Sequence, residues 1–210
     1  MMVRADHLMR PTIVVLCSGQ GTNLQAILRA IQTKRLRARV ACVISDRADA
    51  YALARARQAK VPAHHIDPAR FPDRASYERA LIALCEQETV RLVCLAGFMR
   101  VLSPVFVTHF RNRILNIHPA LLPAFPGAHA VRDALRWGVK VTGVTVHFVD
   151  EHVDHGPIVL QEAVPIRPGE TESQLLTRIH QREHRLYPEA IRWVLAGHTK
   201  IVGRSVKKVS

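Results

Sequence analysis

Asn116 and His118 stand two residues apart at the end of an apolar run, and Pro119 follows at once. Residues two apart on a strand project from one face. An amide donor and an acid/base group are therefore expected side by side at the end of a buried strand. Pro119 and Pro123 stiffen the loop behind them. Such a site suits chemistry at a carbonyl: the amide steadies negative charge developing on oxygen, and the imidazole moves a proton.

A second polar cluster lies at Asp150-Glu151-His152-Val153-Asp154-His155-Gly156-Pro157. It has three readings. Asp154 can orient a catalytic histidine, with Gly156-Pro157 as a rigid turn that aims it. The segment can be a solvated hairpin loop. His152, Asp154 and His155 can also hold a divalent metal. The orienting carboxylate ranks first and the metal last.

Two further segments are suited to holding a ligand. Ser18-Gly19-Gln20-Gly21-Thr22-Asn23 joins an apolar run to a helical pattern, where free N–H groups and the helix dipole favour an anion. It lacks the lysine of a Walker loop and the third glycine of a dinucleotide fingerprint, so a monophosphate fits better than a pyrophosphate. The plainer reading is a glycine turn with Thr22 capping a helix. Gly97-Phe98-Met99 follows another apolar run and is placed either to flank a flat apolar ligand or to pack as an ordinary loop. Glu183 falls on the inward stripe of the last helical pattern, among Leu176, Ile179, Leu186, Tyr187, Ala190 and Val194. A carboxylate there is costly unless it is paired or meets a polar ligand. Arg178 and Arg182 fall on other faces, which favours a ligand.

The elements that must position these residues alternate between strand and helix. Strands are expected at Thr12 to Cys17, Arg39 to Ser45, near His64 to Ile66, and at Arg91 to Leu95. Helices are expected at Thr22 to Thr33, Ala50 to Ala59 and Ser76 to Glu88. Buried runs separated by amphipathic helices predict a doubly wound, mostly parallel α/β sheet. The pattern then changes. Val141 to Val149 alternates as an antiparallel strand does, with Ile158 to Ile166 as its partner. Thr171 and Gln174 form a capping box that opens a long final helix to about Ala196, with a kink expected at Pro188. The expected organisation is a disordered leader (1–11), one domain (12–197) and a basic tail (198–210). Within the domain, 12–119 reads as a nucleotide-binding-type half and 120–197 as a second, site-bearing half.

Composition narrows the function classes. The chain of 210 residues is 48% hydrophobic, with no run long enough to span a membrane and no secretory signal in its first eleven residues. Its four cysteines lie in apolar segments without a C-x-x-C pair, as reduced core cysteines of a cytoplasmic protein would. The net charge of +13 permits nucleic-acid binding, a membrane-surface role or attraction of small anions, but it is dispersed and not interleaved with aromatics, which argues against nucleic acid and leaves a solvated basic surface as the default.

Three stretches carry a resemblance over nearly the whole chain, from Ile13 to about Trp193. They are Val14 to Asn23, Leu95 to Pro104 and Leu115 to Pro123, continued by Val146 to Val149 and Asp154 to Ile158. The chain resembles the phosphoribosylglycinamide formyltransferase family, the folate-dependent enzymes of purine synthesis. The resemblance implies a formyltransferase fold and a cytoplasmic monomer or homodimer. The implied reaction transfers the formyl group of 10-formyltetrahydrofolate to glycinamide ribonucleotide. No metal, membrane or nucleic-acid partner is implied. It makes Asn116, His118 and Asp154 the catalytic set. Gly21, Thr22, Asn23 and Glu183 would meet the ribonucleotide. Arg74, Met99, Arg100, Val101 and Leu102 would line the folate site. A formyltetrahydrofolate hydrolase, or another folate-dependent N-formyltransferase, is the alternative. The chain departs from the family where His155 replaces a usual glycine, Ala120 a usual serine and Ala124 a usual lysine.

Overall fold

The computed structural model describes residues 10–209, and the expected leader falls almost wholly outside them. The described residues form two compact units, one ending at Ile114 and the other beginning at Leu115.

In the first unit, β1 (Thr12–Cys17), β2 (Arg39–Ser45), β3 (Ala63–His65) and β4 (Leu92–Leu95) pair in parallel in the order β3-β2-β1-β4. Ile13, Val14, Val15, Leu16 and Cys17 are wholly buried, as a central strand covered on both faces requires. The crossovers carry α1 (Thr22–Gln32), α2 (Tyr51–Gln58) and α3 (Arg74–Gln87), within two residues of the expected bounds. Arg74 thus falls in the first turn of α3, behind an Asp73 N-cap whose carboxylate accepts from the Ser76 amide. A short helix of 6 residues, α4 (Pro104–His109), was not anticipated; Pro104 occupies its first turn, where a missing N–H costs nothing.

The second unit opens with β5 (Ile114–His118). It pairs antiparallel with β6 (Val141–Phe148), and β6 pairs antiparallel with β7 (Ile158–Pro165). Between β5 and β6 lies α5 (Ala130–Trp137), also unanticipated. The capping box at Thr171 and Gln174 is present and opens α6 (Glu172–Leu195), which runs on through Pro188 as one helix. Its buried residues are Leu175, Ile179, Glu183, Leu186, Tyr187, Pro188, Ala190 and Ile191. The inward stripe therefore takes Leu175 and Ile191 in place of the expected Leu176 and Val194. Tyr187 donates from its hydroxyl to the Leu115 carbonyl at 3.0 Å, tying α6 to β5.

The basic tail is a hairpin, β8 (Thr199–Val202) and β9 (Ser205–Lys208), with β9 joining β7 in parallel through Ser205 and Ile158. All four cysteines are buried thiols. Burial pushes the thiols of Cys17, Cys42 and Cys85 up to about 12. Among the described residues, no helix is long and apolar enough to cross a membrane.

Candidate active site

β5 presents Asn116 and His118 as the alternation requires, and the loop after β6 brings Asp154 to both. The Asn116 amide donates to Asp154 Oδ1 at 3.3 Å. His118 Nδ1 lies 3.3 Å from Asp154 Oδ2, and the Gly127 amide donates to that oxygen at 2.8 Å. The His118 and Asp154 side chains are only 5% and 10% exposed. The three residues named from sequence thus share one site. The solvated-loop reading fails for Asp154 itself, because the loop turns this carboxylate inward.

His147 completes the cluster and was not singled out. It sits opposite Asn116 in the β5–β6 register and is almost wholly buried. Its Nδ1 lies 2.8 Å from the Phe148 carbonyl and must donate to it, since a carbonyl only accepts. That leaves Nε2 facing the Asn116 amide nitrogen at 3.2 Å and Asp154 Oδ1 at 3.7 Å. The signal was the alternation of Thr145 and His147 on one face of β6, but its meaning needed the register.

The charges in this cluster oppose burial. For His118, burial lowers the pKa; Asp154 and the Phe125 carbonyl, 2.8 Å from Nε2, raise it; His147 lowers it again. The net direction is downward. Asp154 therefore favours the imidazolium, but burial outweighs it. For Asp154, burial pushes upward, yet the hydrogen bonds from His147 and Gly127 and the two imidazoles together hold it below the usual carboxylate range. The pair is a carboxylate held in its ionised form beside an imidazole that burial makes harder to protonate, with two acceptors facing the ring.

The loop behind His118 is pinned from β6. Thr145 donates to the Ala120 carbonyl at 2.6 Å and accepts from the Leu122 amide at 3.1 Å. Gln161 donates to Thr145 and to the Leu122 carbonyl, both at 2.9 Å. Glu183 is buried on α6, with His180 3.9 Å away. Arg178 pairs with Glu170 and Arg182 with Glu162, so neither arginine takes the role of its salt-bridge partner.

In the first unit, Gly21 is the N-cap of α1 with φ 69°, so Thr22 begins the helix and does not cap it. A Cβ on Gly21 would stand 2.6 Å from the Ala52 Cβ, whereas one on Gly19 would meet nothing within 4 Å. Asn23 is buried in the first turn of α1. Ser18 links this loop to the next, donating to Asp46 at 2.6 Å and accepting from the Met99 amide at 2.9 Å. Met99 and Val101 are 70% and 58% exposed, Arg100 lies over the Tyr77 ring, and Leu102 is buried. Arg74 donates to the Val101 carbonyl and to Glu78, and Glu78 accepts from the Ser103 amide at 2.8 Å and from its hydroxyl. Glu78, 1% exposed, is the buried clip of this segment, and sequence reasoning missed it.

The metal reading also changes members. Ligand atoms of Asp150, His152 and His155 lie within 4.8 Å of one another, while Asp154 faces His118. The Arg204 guanidinium stands 2.7 Å from His155 Nε2, and Asp150 stands 2.7 Å from Nδ1, so both ring nitrogens are already engaged.

A family model described as Formyl transferase matches residues 11–191. This chain belongs to the formyl transferase family. It is 45% identical to the phosphoribosylglycinamide formyltransferase of Escherichia coli over 189 residues, spanning 90% of this formyltransferase and 89% of that one. It is 42% identical to part of the trifunctional purine biosynthetic protein adenosine-3 of Gallus gallus, covering 90% of this chain but 19% of that protein. Among solved structures, glycinamide ribonucleotide transformylase 1 from Symbiobacterium toebii superposes with a TM-score of 0.94 at 55% identity, over 96% of this formyltransferase and 95% of that chain.

Proposed function

We propose that this formyltransferase moves the formyl group of 10-formyltetrahydrofolate to the amine of glycinamide ribonucleotide in de novo purine biosynthesis, as a cytoplasmic enzyme, monomeric or homodimeric, without a metal, nucleic-acid or membrane partner. The observation that carries the reading is the Asn116–His118–Asp154 cluster, a pair of proton-handling groups beside an amide donor. The relatives' names support the choice of substrates.

The amine attacks the formyl carbon and gives a tetrahedral centre with an ammonium nitrogen and an oxyanion. The Asn116 amide turns one N–H from Asp154 to that oxyanion. Such a donor is worth about a hundred- to a thousandfold in rate. His118 takes the ammonium proton, directly or through a water. The imidazolium so formed is met at once by Asp154 on one side and the Phe125 carbonyl on the other. It then gives its proton to the departing folate nitrogen, and the centre collapses to the formamide and tetrahydrofolate. By resemblance, Gly21, Thr22 and Asn23 hold the ribonucleotide phosphate at the N-terminus of α1, and Glu183 meets the same substrate. Arg74 and Met99, Arg100, Val101 and Leu102 line the folate site; exposed Met99 and Val101 offer apolar surface to a flat ring.

The test follows folate absorbance with 10-formyltetrahydrofolate, with and without glycinamide ribonucleotide. Formyl loss only with the ribonucleotide is the expected result. Loss without it would assign the hydrolase instead, and no loss in either mixture would overturn both.

A further inference from the structure

Asp154 adopts φ 51°, in the left-handed region that non-glycine residues enter at a cost. Such a conformation persists only where the surroundings fix it. On its inner side, Asp154 is held by Asn116, His118 and Gly127. The outer side of the same loop is held by a different set. Asp150 accepts from the His152 amide at 3.0 Å and stands 2.7 Å from His155 Nδ1. Arg204 donates to the His155 carbonyl at 2.7 Å and lies 2.7 Å from its Nε2. The Nδ1–H tautomer satisfies both neighbours: it donates to the carboxylate and accepts from the guanidinium.

The fold places Arg204 there. Ser205 pairs with Ile158, so the residue before Ser205 falls beside the chain that enters β7, where His155 precedes Ile158 by three. Gly156 cannot yield sideways, since even a Cβ there would stand 1.9 Å from the Phe148 carbonyl oxygen. A glycine at position 155 would offer no ring to either Asp150 or Arg204, so the clamp depends on the histidine.

We propose that Arg204 is a positioning residue for formyl transfer, acting through His155 to hold the Asp154 loop in its left-handed turn; this rests on the function proposed above. The contacts are largely exposed, and exposed ion contacts contribute little to stability. Their effect belongs on the rate, because small misplacements of a reacting group are costly to turnover.

The experiment compares wild type, Arg204→Ala, Arg204→Lys, His155→Gly and the His155→Gly/Arg204→Ala double variant. Expected for Arg204→Ala is a kcat about tenfold lower, with KM for both substrates within about twofold. Its melting temperature stays within about 2 °C of wild type. Arg204→Lys recovers part of the loss. In the His155→Gly background, adding Arg204→Ala changes kcat less than about twofold, since the two act as one unit. An unchanged kcat in Arg204→Ala overturns the proposal, as does an equal loss in the glycine background. Hydrogen exchange of the 149–157 segment separates this proposal from the functional one. Faster exchange in Arg204→Ala supports the clamp even if wild type moves no formyl group, and unchanged exchange overturns it even if wild type does.

Discussion

Two nearly buried carboxylates, Glu78 in the first unit and Asp154 in the second, are surrounded differently. Glu78 of α3 faces donors that never lose their protons in ordinary conditions: the Arg74 guanidinium, the Ser103 amide and the Ser103 hydroxyl. Asp154 faces two imidazoles, His118 and His147, along with an amide side chain and one backbone N–H. Both carboxylates are satisfied, as buried charges must be. Only Asp154 has partners whose charge can change during a reaction. Fixed donors make a fastener, and titratable ones make a working centre.

The sharpest way to break that contrast is at the working centre. Asn116→Ala should lower kcat by about a hundred- to a thousandfold while folate affinity, measured by calorimetry, stays nearly unchanged. Normal turnover would remove Asn116 from the oxyanion role. At the fastener, Glu78→Gln should act on the fold and on binding: about 1–3 kcal/mol of stability lost in denaturant melts, with kcat at saturation within about twofold. A collapse of kcat there would erase the difference between the two carboxylates.

Close backbone approach fixes glycines in both units, Gly21 in the first and Gly143 and Gly156 in the second. Gly21→Ala places a methyl against Ala52 in a left-handed turn and should cost about 1–3 kcal/mol, whereas Gly19→Ala, facing open space, should cost less than about 0.5 kcal/mol. Equal melting temperatures for the two would remove the packing argument.

The smallest effects concern pH. His118 has a folded pKa below its ordinary 6.5, so the unfolded chain binds more protons as pH falls through that value, and stability declines there. Asp154 lies below its ordinary 3.8, so a second decline sets in as pH falls through that value. Stability from His118 and Asp154 is thus present at neutral pH and lost toward acid. His118→Gln should flatten the first decline and also shrink the second, since His118 is one of the groups that hold Asp154 low. In Asp154→Asn, the His118 ring followed by NMR should titrate lower than in wild type, because the carboxylate that raised it is gone.

Much of this was legible in the chain where the signal is local. The period of two at Asn116 and His118, the glycines before α1 and the capping box at Thr171 each act within a few residues. Asp154 could be read from its turn chemistry. His147 could not, because its role depends on which residue of β5 lies opposite it, a matter of register across a long connection. Glu78 was hidden for a related reason: its partners include Ser103, 25 positions on. The short helices α4 and α5 have too few turns to show a period. The hairpin β8–β9 read as a basic tail, since its lysines mask an alternation of only a few residues.

The buried cysteines have a practical consequence. With the thiols of Cys17, Cys42 and Cys85 held near 12 and all four cysteines packed inside the first unit, alkylating reagents should pass them by in the native state. A cysteine placed at exposed Val153 could then carry a dye on the very loop that aims Asp154, with no need to strip out the native four. The slow uptake of label by those four would serve as an internal clock for how often the core opens.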